Sequence, residues 1–331
     1  MVRLLITGGA GFIGHHLVDR VLRKTDWQIT VLDRLDHSGN LNRLAEIGAA
    51  RSTRVRFVFH DLRAPMNAQV MQQIGYHDHI VHMAAGTHVD RSIDDPMAFV
   101  MDNVVGTCTI LDFARTMGCK RFLYFSTDEV FGPAPIGTFY HEDDRYRSGN
   151  PYAATKAGGE ELAMAYQNTY GLPVIVTHTM NAVGERQNPE KFIPNTIAKI
   201  RDGETVLVHA DKTKTKPGAR YYIDAKEIAR AVLMLLDRGE PGVKYNICGT
   251  VEMDNLKMAQ SIGEAMGKPF RHELIDFHSS RPGHDLRYAL DASRMERMGF
   301  MADQPGIDRI VKWYLANPHW LPAPAASRAA A

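Results

Sequence analysis

Leu4-Leu5-Ile6-Thr7-Gly8-Gly9-Ala10-Gly11-Phe12-Ile13-Gly14 is the stretch whose reading decides the fold. A short apolar run meets a glycine turn, and the turn opens a segment of helical period through Leu22. Gly8 suits a tight turn, Gly11 lets backbone approach a pyrophosphate, and Gly14 lets the helix lie close to the strand. The amino end of that helix, with Phe12 and Ile13, favours negative charge. A glycine triplet alone is weak, but this one sits strand–turn–helix at the amino end. A second apolar run closes on Val31-Leu32-Asp33 about twenty residues further on. An acid there accepts both ribose hydroxyls and repels a 2′-phosphate, which points to NAD. The following Arg34 leaves NADP open, since arginine in that place can hold the extra phosphate.

Working outward, apolar β-branched runs recur at Leu4–Thr7, Gln28–Leu32, Val55–Phe59, His79–Met83, Arg121–Phe125 and Pro173–His178, with helical segments between them. Strands separated by helices predict an α/β architecture, a doubly wound parallel (Rossmann) sheet with ligands at the carboxyl edge. Asp61-Leu62 after the third strand and Ala84-Ala85 after the fourth are then expected at the adenine and pyrophosphate. Beyond Thr179 the spacing turns irregular and proline-rich, which predicts a smaller mixed α/β substrate-binding lobe. A helix over Ile223–Leu236 and a strand over Val243–Ile247 would return the chain to the first lobe. The expected division is 1–178 plus about 223–247 for the NAD-binding domain and 179–222 plus about 248–321 for the other, with 322–331 a flexible tail.

Composition narrows the function classes. The chain has 331 residues, 44% of them hydrophobic, and 39 Lys+Arg against 38 Asp+Glu leave a net charge of +1. Nucleic acid or an anionic membrane as main partner would call for a basic excess. Cys108, Cys119 and Cys248 form no C-x-x-C pair, so neither a disulfide framework nor a zinc clip is expected, and a reducing, cytoplasmic setting is. No run of about 18 apolar residues predicts a membrane span. His77, His79 and His82 would point to opposite strand faces without an acidic partner, so no metal site is expected.

In Asn150-Pro151-Tyr152-Ala153-Ala154-Thr155-Lys156, Asn150 is placed to cap a helix and Pro151 to open it. Tyr152 and Lys156 then share one face, and an ammonium close to a phenol should lower the tyrosine pKa and make a general base. Ser126-Thr127-Asp128-Glu129-Val130-Phe131-Gly132 closes the fifth strand. In a continued strand Asp128 and Glu129 would face opposite ways, so both can act only if the chain turns near Ser126. The bland alternative is a pair of solvated turn acids.

With these residues in place, the chain resembles the extended short-chain dehydrogenase/reductase family, and within it the nucleotide-sugar 4,6-dehydratases. Further matches are Thr87-His88-Val89-Asp90-Arg91-Ser92-Ile93, Pro189-Glu190-Lys191-Phe192-Ile193-Pro194 and Arg281-Pro282-Gly283-His284-Asp285. The resemblance implies a hydride-transfer triad of Thr127, Tyr152 and Lys156, with Glu129 as C5 base and Asp128 as acid toward the C6 oxygen. It also implies NAD contacts from Asn103, and nucleotide-diphosphate-sugar contacts from Thr87, His88, Asn181, Lys191, Arg220 and Arg281. A homodimer is implied as well, the Tyr152 helix and the helix near Met97–Met117 packing across a two-fold axis. Departures from the family pattern cluster where base and sugar would lie: Lys212 to Asp224, Gly86 for a common glutamate, and Ala182-Val183-Gly184-Glu185-Arg186. The nucleotide therefore stays open. A 4-epimerase or decarboxylase on the same scaffold, and a non-catalytic NAD-binding sensor, are the rival readings.

Overall fold

Leu4, Leu5, Ile6 and Thr7 are all wholly buried, as expected of a strand covered on both faces. The computed structural model describes residues 1–276 and 286–324. The strands are β1 (Arg3–Thr7), β2 (Gln28–Asp33), β3 (Val55–Phe59), β4 (His79–His82), β5 (Arg121–Thr127) and β6 (Val174–Thr179). The helices between them begin with α1 (Phe12–Lys24), α2 (Leu41–Glu46) and α3 (Ala68–Ile74). After β4 come α4 (Val89–Asp94), α5 (Pro96–Val100), a π-turn over Met101–Val105 and α6 (Gly106–Met117), and α7 (Pro151–Tyr170) separates β5 from β6. All six strands pair in parallel, and β11 (Lys244–Ile247) joins them beyond β6 to give the order β11-β6-β5-β4-β1-β2-β3. The predicted strands are thus present, with ends displaced by a residue or two.

One segment differs from the expectation. Ile223–Asp224 is a two-residue strand, β10, pairing with β7 (Ala182–Val183), and the helix α9 starts only at Ala225 and runs to Arg238. The Asp224 carboxylate accepts the Lys226 backbone N–H, so the helix cannot extend back through its own cap. α9 then lies against α1, closing one face of the sheet with Val232, Leu235 and Leu236 among the buried side chains.

The remaining chain builds a second core. α8 (Phe192–Asp202), β8 (Val206–Ala210), β9 (Ala219–Tyr221), β12 (Glu252–Asp254), α10 (Asn255–Met266), β13 (His272–Asp276) and the helix Ile307–Ala316 surround Ile197, Val208, Met258, Ile262 and Ile310. Arg43 of α2 is buried between the two cores, donating to the carbonyls of Ala10 and Ser38 on one side and to Arg186 O and Asn188 Oδ1 on the other. Among the described residues one helical stretch, Pro96–Met117, is long and apolar enough to cross a membrane, yet it is 44% buried against its neighbours here.

Candidate active site

The glycine turn is built as its spacing requires. Gly8 has φ +71° and its Cβ would stand 2.7 Å from the Ala84 nitrogen, while a Cβ on Gly14 would collide with the Gly8 carbonyl. At the end of β2 the Asp33 carboxylate accepts the backbone N–H groups of Ala10 (3.0 Å) and Leu35 (2.9 Å), and burial raises its pKa. The neighbouring Arg34 is already engaged: it forks onto Asp102 at 2.5 and 2.8 Å and also pairs with Asp36 and Asp61. A 2′-phosphate would have to displace carboxylates to reach it.

These groups line one end of a cleft of about 320 Å³ at the carboxyl edge of the sheet. Gly8, Gly11, Phe12, Ile13 and Gly14 form its floor with Asp33 and Arg34, followed by Leu62, Ala84, Ala85 and Thr87. Thr127, Asp128, Glu129, Tyr152 and Lys156 line the same cleft, with Asn181 and Lys191 from the second lobe. The donor and acceptor set fits a dinucleotide: a glycine-bordered helix end for the pyrophosphate, an acid for the ribose, and a reactive tyrosine–lysine pair beyond.

The chain does turn where the acids require it. β5 ends at Thr127, and Asp128–Phe131 form a single 3₁₀ turn that brings Asp128 and Glu129 onto one wall. Thr127 Oγ1 donates to Asp128 Oδ1 at 3.1 Å, while the buried Oδ2 has no partner among the described residues. Burial, then the charge of Glu129, pushes the Asp128 carboxyl up to about 7. Asn150 caps α7 by accepting the Ala153 N–H and donates its Nδ2 to Glu129 Oε2 at 3.1 Å. One side chain thereby ties an acid to the helix that carries Tyr152.

The tyrosine–lysine pair departs from expectation. Lys156 Nζ donates to the Phe125 carbonyl at 2.6 Å and lies 4.4 Å from the centre of the Tyr124 ring. Burial pulls Lys156 down to about 7, the Glu160 charge opposing it, and burial with the Glu129 charge drives the Tyr152 phenol up rather than down. A lysine occupied by a backbone carbonyl cannot favour the phenolate in this geometry.

Four other predicted residues stand off the cleft wall. Asn103 donates to Gly86 O (3.1 Å) and Thr155 Oγ1 (2.9 Å) and accepts Gly86 N–H (2.8 Å), so it locks the loop of Ala84-Ala85 to α7. Asp61 is taken up by Arg63 and Arg34 beside the wall. His88 sits at the amino end of α4, its Nδ1 buried without a partner among the described residues. Arg220 donates to the carbonyls of Ala219 and Leu286 and stacks on Tyr288 at 4.8 Å, near enough for its charge to favour ionised Asp128. Arg281 and most of the tail at 322–331 lie outside the described residues. His77, His79 and His82 go to separate partners: Thr30 Oγ1, the Trp27 ring, and Thr7 with Thr107. No cluster able to hold a metal occurs among the described residues.

Sequence reading missed Asp102, Ser38, Gln187 and Asn188, which also line the cleft. The Arg34–Asp102 pair spans 68 residues, so no local pattern signals it. Gly159 was missed too: its Cβ would press on Tyr124 Oη, the Asn103 carbonyl and Thr107 Oγ1, so only glycine lets α7 approach the π-turn this closely. Its place three residues beyond Lys156 was the available clue.

Comparison with known proteins places this geometry. Residues 5–305 match the family model described as GDP-mannose 4,6 dehydratase. A dTDP-glucose 4,6-dehydratase of Streptomyces niveus is 38% identical over 96% of this chain and 94% of its own length. The low-salt glycan biosynthesis protein Agl12 of Haloferax volcanii is 39% identical, covering 95% of this chain and 99% of its own. Among solved structures, the dTDP-glucose 4,6-dehydratase DesIV of Streptomyces venezuelae, with NAD and dTDP bound, superposes with a TM-score of 0.87 at 35% identity over 97% of this chain and 99% of that one.

Proposed function

The chain belongs to the GDP-mannose 4,6 dehydratase family, and from that premise we propose which of its residues carry the chemistry and what they act on. The protein is an NAD-dependent nucleotide-sugar 4,6-dehydratase. NAD, when bound, would supply the hydride acceptor for C4 of the hexose and the hydride donor for C6. It would be held by Gly8, Gly11 and Gly14 at its pyrophosphate and by Asp33 at its ribose.

Tyr152 takes the proton of the C4 hydroxyl and Thr127 hydrogen-bonds the C4 oxygen, with Lys156 supplying positive charge once it turns from Phe125 O to the phenol. With C4 a carbonyl, the C5 hydrogen is acidic, and Glu129 removes it. The C6 hydroxyl leaves as water on a proton from Asp128, Glu129 returns its proton to C5, and C4 stays a ketone; Tyr152 releases the proton it took to solvent and Asp128 regains one, which resets both groups. The observation that carries this reading is the split environment of two adjacent carboxyls on one wall: Asp128 is buried and lifted to about 7, a protonated donor, while Glu129 is held by Asn150. A simple 4-epimerase needs no acid at C6, and an NAD-binding sensor needs neither.

The substrate is an NDP-glucose of the dTDP-glucose type, supported by the relatives' activity. Lys191, Asn181 and Thr87 would meet its diphosphate and sugar, and Arg220 and Arg281 stay candidate diphosphate contacts on the charge that a diphosphate needs. We assign 1–178 with about 223–247 to NAD and 179–222 with about 248–321 to the sugar nucleotide; the distinct core around Ile197, Val208 and Met258 supports a second lobe, while Met295, Phe300 and Ala302 pack into the core of the first. A homodimer through α7 and the helix Pro96–Met117 would cover the half-buried Val100, Met101, Val104 and Val105. Three free cysteines suit a reducing, cytoplasmic setting.

The test is incubation with dTDP-, UDP-, GDP- and CDP-glucose in deuterated water, followed by product mass. Loss of one water with one deuterium gained at C5 in the dTDP series is expected. An unchanged skeleton of altered stereochemistry would overturn the dehydratase reading, and dehydration confined to another nucleotide would overturn the base.

A further inference from the structure

Behind the cleft lies a buried ionic cluster that the proposed steps leave unused. Glu160, one helical turn beyond Lys156 on α7, has no solvent exposure. His178 Nε2 of β6 stands 3.2 Å from each of its carboxylate oxygens, Lys244 Nζ stands 3.1 Å from Oε1, and the Tyr146 hydroxyl donates to the same oxygen. Lys244 also donates to Tyr146 Oη at 2.6 Å, and His178 Nδ1 lies 3.0 Å from Asn246 Oδ1. The cluster reaches the catalytic turn as well, since the Phe131 ring lies 4.7 Å from His178 and 5.3 Å from Tyr146. Burying such charges costs more than a plain apolar core would, so the arrangement is weak support for stability alone.

We propose that Glu160 is a positioning residue for hydride transfer: held by His178, Tyr146 and Lys244 one helical turn from Lys156, it is the fixed counter-charge against which the Lys156 ammonium turns from the Phe125 carbonyl to the Tyr152 phenol. The inference rests on the reading of Tyr152 and Lys156 as the hydride-transfer pair. Lys156 is surrounded by the Tyr124 ring of β5, Tyr152 of its own helix, and His82 of β4, whose pKa burial and the Lys156 charge lower to about 3, leaving it neutral. None of these supplies negative charge, whereas Glu160 does. Glu160 itself stays ionised: burial raises its carboxyl, but the His178, Lys244 and Tyr146 contacts outweigh it and bring it down to about 2. Lys244 acts in the opposite sense, because its charge offsets that of Glu160.

The experiment is an NMR titration of Nζ-labelled lysine in the full-length protein, with Lys156→Met identifying the Lys156 resonance, alongside the pH profile of kcat. Glu160→Gln should lower the Lys156 titration by about one pH unit and move the alkaline limb of kcat with it, while Glu160→Asp restores both. Lys244→Met should move them the other way, and it keeps the test alive if Glu160→Gln does not fold. A Lys156 titration unmoved in folded Glu160→Gln, or unmoved or lowered in Lys244→Met, overturns the inference. Tyr152→Phe separates the two readings: if it retains turnover, the hydride-transfer assignment fails, whereas its inactivity with an unmoved Lys156 titration sinks only the role of Glu160.

Discussion

Replacing Asp128 by Asn should make the protein a poorer enzyme and a more stable one. The Asp128 side chain is buried and its carboxyl titrates near 7 in the fold against an ordinary 3.8. A carboxyl whose folded pKa is raised stabilises the native state fully below its unfolded pKa and loses that contribution as pH climbs through the folded value. The loss here falls between about pH 4 and pH 7 and amounts to (7 − 3.8) × 1.36, or at most about 4 kcal/mol. Asn mimics the protonated acid at every pH, so Asp128→Asn should exceed the parent by up to about 4 kcal/mol at pH 8 and by less than about 2 kcal/mol at pH 5. Denaturant melts at the two pH values measure this difference directly. The same variant has no proton for the C6 oxygen and should lose about 10²–10⁴ in kcat, read as product formation from dTDP-glucose. An Asp128→Asn protein that dehydrates at the parent rate would refute the acid role, and one whose stability advantage is the same at pH 5 and pH 8 would refute the raised carboxyl behind it.

Tyr152→Phe should abolish turnover by about 10²-fold or more while NAD binding, followed by fluorescence quenching, is unchanged. Asp102→Asn should loosen the Arg34 fork and improve NADP binding relative to NAD by about tenfold, measured by calorimetry with each dinucleotide. Gly159→Ala would drive a methyl group into Tyr124 Oη and the Asn103 carbonyl, costing about 1–3 kcal/mol in a thermal melt.

Much of the site was legible because its parts are local. The glycine turn, Asp33 at a strand end, the Asn150 cap and the Tyr152–Lys156 spacing each act within a few residues, and each stands where its local rule puts it. Even the turn that brings Asp128 and Glu129 to one wall was a condition set by strand geometry, and the 3₁₀ turn meets it. Ile223 was misread as helix because its side chain is apolar in helical register, whereas pairing with β7 claims its backbone and Asp224 caps the helix that starts at Ala225.

What escaped the sequence depends on groups far apart in it. Whether Arg34 is available to a phosphate is decided by Asp102, what Asn103 ties together is decided by Gly86 and Thr155, and whether Lys156 faces Tyr152 is decided by the Phe125 carbonyl. The sequence alone determined the doubly wound sheet and the dinucleotide turn, because periodicity, caps and glycine φ are properties of neighbouring residues, and its motifs named the side chains proposed to react. Only the tertiary structure decided their protonation, because the desolvation that lifts Asp128 and lowers Lys156 comes from burial against strands and helices that the local chain does not encode.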